Sequence, residues 1–160
     1  MATTLTHHLE YDAPLADVAA MLADPAFREE VSAFQKVIRA HVEIDVDGDT
    51  KTVVVDQVQP AKGIPGFARK FVGDEINIVQ REDWSSADAA DLHVTIPGKP
   101  GEMDGTITLV ESGGTTTETV DVRIKVNIPL VGGKIEDLIA GLMRKALVAE
   151  NTVGRDYLSR

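Results

Sequence analysis

The sequence predicts an α+β domain: a seven-stranded antiparallel sheet curved around one long C-terminal helix, with two short helices between strands one and two. Three observations carry that prediction. Residues 3 to 11, 36 to 46 and the last strand near 115 to 127 alternate apolar and polar side chains with period two, the signature of half-buried strands, while "TVVVDQVQ" carries valine on both faces. Turn signals, with no long helical pattern, separate the last six strands, so they pair antiparallel. From Gly132-Gly133 onward one apolar stripe runs at helical spacing to the end of the chain.

In the first strand Leu5, His7, Leu9 and Tyr11 share one parity, and Thr4, Thr6, His8 and Glu10 the other. Neighbours on a strand point to opposite faces, so the adjacent histidines cannot chelate one ion. His8 is expected in solvent and His7 inside. In "DAPLADVAAMLADPAFREEVSAF", Pro14 suits a first helical turn, and Val18, Met21 and Leu22 form its apolar stripe. Asp24-Pro25 ends that helix and starts a second through Phe27, Val31 and Phe34.

Residues 36 to 46 alternate again, and "DGD" at 47 to 49 turns the chain back into "TVVVDQV". The prolines and glycines of "QPAKGIPGFARKFVG" predict a long loop with room for one short helix. Strands follow near 72 to 84, 90 to 97, 103 to 111 and 115 to 127, with "GKPGEMDG" and "SGGT" as turns between them. The last is the clearest, with Val120, Val122, Ile124 and Val126 on one side. The final helix carries Ile135, Leu138, Ile139, Leu142, Ala146, Ala149, Val153 and Tyr157 on its stripe, while Gly141 falls on its polar side.

Such a helix, about 25 residues and about 37 Å long, matches strands of about 10 to 12 residues at about 3.3 Å each. It can lie along the whole concave face, with the two short helices closing one end. A curved sheet on a single helix does not close tightly. The stripe turns small at Ala146 and Ala149, and the inner sheet positions carry aliphatics with few aromatics. Two outcomes are open, an aliphatic-lined cavity or an interdigitated core, and the expectation is the cavity.

Composition bounds the rest. The 160 residues fit one domain, residues 1 to 160, with a proper core. The chain has no cysteine, which removes disulfides, thiolate metal sites and thiol catalysis. Its formal charge of −10 repels phosphate backbones and anionic headgroups, so nucleic acid is not an expected partner. No secretory or membrane-spanning segment stands out, so the expectation is a cytoplasmic protein, monomeric or weakly dimeric, without integral membrane contact.

"YDAPLADVAAMLADPAF" resembles the strand-helix-helix opening of the START-like, or Bet v 1-like (SRPBCC), helix-grip superfamily, and "VNIPLVGGKIEDLIAGLMRKALVAE" resembles its ending. "IPGFARKFVG" at 64 to 73 and "REDW" at 81 to 84 are similar to a mostly actinobacterial family within it, the DUF2505 group. The resemblance covers nearly the whole chain and implies the helix-grip fold. It supplies no catalytic motif, because lipid carriers, hormone receptors, polyketide cyclases and co-chaperones share that scaffold.

Expected cavity residues follow from parity and spacing. The sheet offers Leu9, Ile78, Val94, Ile107, Val122 and Ile124, and the helix Leu138, Leu142 and Ala146. His7 reads as a core histidine or as a polar group in the cavity, and Tyr11 shares its row. Gln80 and Gln57 can project inward; Glu82 is expected near the cavity mouth and Trp84 as a plug at the sheet's end. Phe67 and Phe71, four apart in the one basic island with Lys62, Arg69 and Lys70, read as a portal or as a helix covering the sheet edge. His41 and His93 fall on solvent faces, no ligand set converges on a metal, and no cofactor is expected.

The first functional expectation is a carrier, sensor or sequestering protein for a small hydrophobic or amphipathic molecule. The second is a polyketide cyclase- or dehydratase-like enzyme using His7, Tyr11 and Glu82. The third is a protein-interaction adaptor, which needs a sizeable exposed apolar patch.

Overall fold

The structure, a computed structural model, describes residues 2–160. The chain runs β1 (Thr3–Tyr11), α1 (Leu15–Leu22), α2 (Pro25–Phe34), β2 (Arg39–Asp47) and β3 (Thr50–Pro60). It continues through α3 (Gly66–Val72), β4 (Glu75–Ser86), β5 (Ala89–Thr95), β6 (Glu102–Ser112), β7 (Thr115–Lys125) and α4 (Gly132–Leu158). All strand pairs are antiparallel, in the order β1-β7-β6-β5-β4-β3-β2. Consecutive hairpins build β2 to β7, and β1 joins the far edge by pairing Leu5 with Val122 and Leu9 with Glu118. The predicted seven-stranded curved sheet around a long terminal helix is the observed fold.

Local boundaries differ where the backbone is set by single residues. Pro14 stands just outside α1 as its N-cap, because its extended backbone (ψ 154) has not yet turned helical. Asp24 caps α2 as its chemistry predicts, accepting from the Ala26 amide at 2.9 Å. Lys36 adopts a left-handed φ of 57, which ends the α2 segment and delays β2 to Arg39. The loop after β3 does contain one short helix, α3.

α4 is fastened at one side of the sheet. It packs on β1 and β7 and on the two short helices, and makes no comparable contact with β3 to β6. Two aromatics hold it there. The Tyr11 ring fills a notch at Gly154, where a Cβ would lie 2.6 Å from Tyr11 Cε1. Tyr157 meets Phe27 edge-on, with ring centroids 5.6 Å apart, and donates to Asp24 at 2.6 Å. Leu9, Val18, Met21, Phe27 and Ile124 are sealed beneath this seam. Gly105 plays the matching role in the sheet, since a Cβ there would run into the Asp121 carbonyl of β7. The inner faces of β3 to β6 are left looking across a gap at the free flank of α4. No helix among the described residues is long and apolar enough to cross a membrane.

Candidate functional site

That gap is a partly open cavity, with about 100 Å³ of room for the centre of a water molecule. The sheet wall is formed by Ile76, Ile78, Leu92, Val94, Met103, Ile107 and Val120. α4 supplies Ile135, Leu138, Ile139, Leu142, Met143, Ala146 and Leu147, and the α3 region adds Ile64, Ala68, Phe71 and Val72. Polar groups enter from Gln57, Gln59 and Gln80, and from three carboxyls, Glu82, Glu118 and Glu150.

The carboxyls form the floor, where the short helices close the end. α2, held by the Phe27–Tyr157 contact, points Arg28 beneath the cavity at 4% exposure. Its guanidinium grips Glu82 through two bonds of 2.8 Å, while Nε donates to the Leu22 carbonyl at 3.0 Å, at the end of α1. The Trp84 indole donates to Glu82 at 2.9 Å and Gln80 at 2.6 Å. Burial works against both charges, but the pairing outweighs it: Glu82 is held below and Arg28 above the ordinary value.

Glu118 and Glu150 have no such counterweight. Arg28 reaches Glu150 only at 3.7 Å. Burial, then the neighbouring carboxylates Glu150 and Glu82, push Glu118 well above the carboxylate range. Burial likewise lifts Glu150 to about 7, against the opposing pull of Arg28. The two carboxyls are within hydrogen-bonding reach of one another once one is protonated. The floor is thus one saturated ion pair beside a carboxyl pair able to retain a proton near neutrality.

Of the residues the sequence put in the cavity, Phe71, Ile78, Gln80, Val94, Ile107, Leu138, Leu142 and Ala146 line it. The other seven do not. Leu9, Val122 and Ile124 face inward but lie on β1 and β7, the strands α4 covers. His7 shares that fate: it is half-buried near Arg144 of α4, with burial, Arg144 and His8 all disfavouring its charge. Tyr11 is spent on the Gly154 notch. Trp84 lies behind the floor, its indole on Glu82 and its face under Lys51 Nζ at 4.3 Å. Phe67 is 41% exposed, because α3 turns Ala68, Phe71 and Val72 inward and leaves Phe67 outside. Glu82 is at the closed floor, 1% exposed, rather than near the mouth.

Three floor residues escaped sequence reasoning, two of them despite a visible signal. Glu118 shares the inward parity of Val120, Val122 and Ile124, an acid at the end of an aliphatic run. Glu150 falls four residues after Ala146 on the helix stripe. Arg28 gives no such signal, since α2 has a mixed face on which Phe27, Arg28 and Ser32 are all buried.

A sequence family described as "Protein of unknown function (DUF2505)" matches residues 6–158. The chain belongs to this family. Among curated relatives, "Uncharacterized protein Rv0481c" of Mycobacterium tuberculosis is 29% identical over 111 residues, covering 65% of this DUF2505 chain and 63% of the relative. Solved structures share the architecture at low identity. TTHA0849 from Thermus thermophilus aligns with TM-score 0.66 and 16% identity, covering 98% of this chain and 99% of that one. A START superfamily protein from Mycobacterium smegmatis aligns with TM-score 0.58 and 13% identity, covering 98% and 99%. Norcoclaurine synthase from Thalictrum flavum aligns with TM-score 0.60 and 16% identity, covering 96% and 86%. The DUF2505 chain therefore has the START-like helix-grip fold that its sequence resembles.

Proposed function

We propose that the protein binds a small hydrophobic or amphipathic molecule between the sheet and α4, as a carrier, sensor or sequestering protein. The observation that supports this reading best is the partly open cavity with aliphatic walls and a polar end. Native mass spectrometry of purified protein and Nile red displacement test it. The expected result is one ligand or dye per chain, with affinity reduced about tenfold or more in Ala146→Phe, which places a ring in the cavity. Unimpaired binding by a folded Ala146→Phe variant, or no binding by wild type, would sink the reading.

A second reading, a cyclase- or dehydratase-like enzyme, is favoured by a separate observation. Glu118 and Glu150 bring two buried carboxyls to one end of the cavity, the pairing that acid–base chemistry needs. Norcoclaurine synthase, of the same fold, is by its name an enzyme. This reading expects deuterium uptake beside the carbonyl of an aliphatic ketone above the buffer rate, lost in both Glu118→Gln and Glu150→Gln. An unchanged rate in either variant would remove it. The adaptor reading, which needs a contiguous exposed apolar patch, has no such observation behind it.

A further inference from the structure

Resting on the binding reading above, we propose that the ligand carries a basic nitrogen, held as an ammonium between Glu118 and Glu150 with its apolar body along the cavity. Glu118 Oε1 and Glu150 Oε2 are buried, and no described residue donates a hydrogen bond to them. Buried carboxyl oxygens without donors are costly, and native structures leave few.

The surrounding donors are directed mainly elsewhere. Arg28 from α2 gives its close hydrogen bonds to Glu82 and the Leu22 carbonyl, and its Nη1 stands 3.7 Å from Glu150 Oε1, beyond hydrogen-bond distance. Gln80 and Trp84 from β4 both donate to Glu82. Lys51 from β3 lies over Trp84 and reaches the Ala19 carbonyl at 3.4 Å. Tyr11 from β1 points its hydroxyl at the Glu150 backbone carbonyl, at 3.5 Å. The floor therefore holds more acceptors than donors and more acid than base.

Two things can satisfy those oxygens: a proton held within the pair, or a donor that arrives with the ligand. An ammonium supplies three N–H donors and the missing positive charge, so it replaces the proton and adds Coulomb attraction. A carboxylate or phosphate head would meet Glu82, Glu118 and Glu150 as like charges. A hydroxyl donates one bond without charge. Since an alkylamine is already protonated at neutral pH, its entry converts a proton-holding pair into two carboxylates and releases that proton to solvent. No covalent bond changes.

Calorimetric titration with n-hexylamine, 1-hexanol and hexanoate separates these cases, because the three share one apolar chain. In two buffers of different ionisation enthalpy at pH 7, the amine should bind about tenfold or more tightly than the alcohol, with proton release. Hexanoate should bind weakest. Amine affinity in wild type should rise between pH 6 and 8 as the pair gives up its proton. Glu118→Gln and Glu150→Gln should each lose the preference for hexylamine over hexanol. If hexanol binds as well as hexylamine, or the preference survives both substitutions, ammonium recognition is wrong and the cavity reading stands. If neither the amine nor the alcohol binds, both fall together. The pH and buffer dependence of the wild-type protein decides the matter even if a variant fails to fold.

Discussion

Arg28 is the residue on which the floor depends, because it is the partner that lets Glu82 stay ionised at 1% exposure. Arg28→Met keeps the volume and removes the charge. It should cost about 3 to 5 kcal/mol in urea unfolding, the usual penalty for orphaning a buried ion. The pH signs of the floor residues are opposite. Glu82 is depressed, so its contribution is present above the unfolded-state value of 4.5 and is lost as pH falls below it. Glu150 is raised from 4.5 to about 7, so it disfavours the fold progressively as pH climbs through that window and levels off above it. Glu150→Gln should therefore be more stable than wild type at pH 8 and nearly equal at pH 4.5. A melting-temperature difference that does not grow between those two pH values would contradict the assignment. Part of this chemistry was readable in advance: Glu118 breaks an aliphatic parity and Glu150 an aliphatic stripe. Its meaning was not, because pairing partners from α2, β4, β7 and α4 meet only in three dimensions.

At the scale of elements, strands and helices followed their periodicities because each is a local property. β1 spans the predicted residues 3 to 11, and α4 begins at the predicted Gly132. What periodicity does not encode is lateral position. The inward row of β1 carries Leu5, His7, Leu9 and Tyr11 as read, yet that row is covered by α4 instead of facing open space. The Tyr11–Gly154 notch is the contact that fixes this arrangement. Gly154→Ala should destabilise by about 1 to 3 kcal/mol from overpacking, despite a helix-propensity gain of about 1 kcal/mol. Adding Tyr11→Leu should make the two costs less than additive, since the smaller side chain leaves room for the new methyl. Strict additivity in a double-mutant cycle would show that the ring and the glycine are not coupled.

For the whole molecule, the off-centre helix is what opens the cavity. α4 grips the β1–β7 side, and the wall opposite its free flank is completed by α3, of whose seven residues Ala68 alone is buried. Sparse packing makes residues 61–74 the segment expected to open at lowest free energy. Amide hydrogen exchange there should be faster than in β6 and β7, and should slow when the cavity is filled by ligand. Equal protection in both regions would argue against α3 as the moving wall. Element type, element order and the helix-grip architecture were legible in the linear chain because hydrophobic period, caps and turns act over a few residues. Which inward side chains meet the cavity, and which carboxyls share its floor, was settled by packing. Aromatic contacts between residues far apart in sequence, Tyr11 with Gly154 and Phe27 with Tyr157, hold α4 over one flank of the sheet. Short-range pattern carries no trace of that displacement.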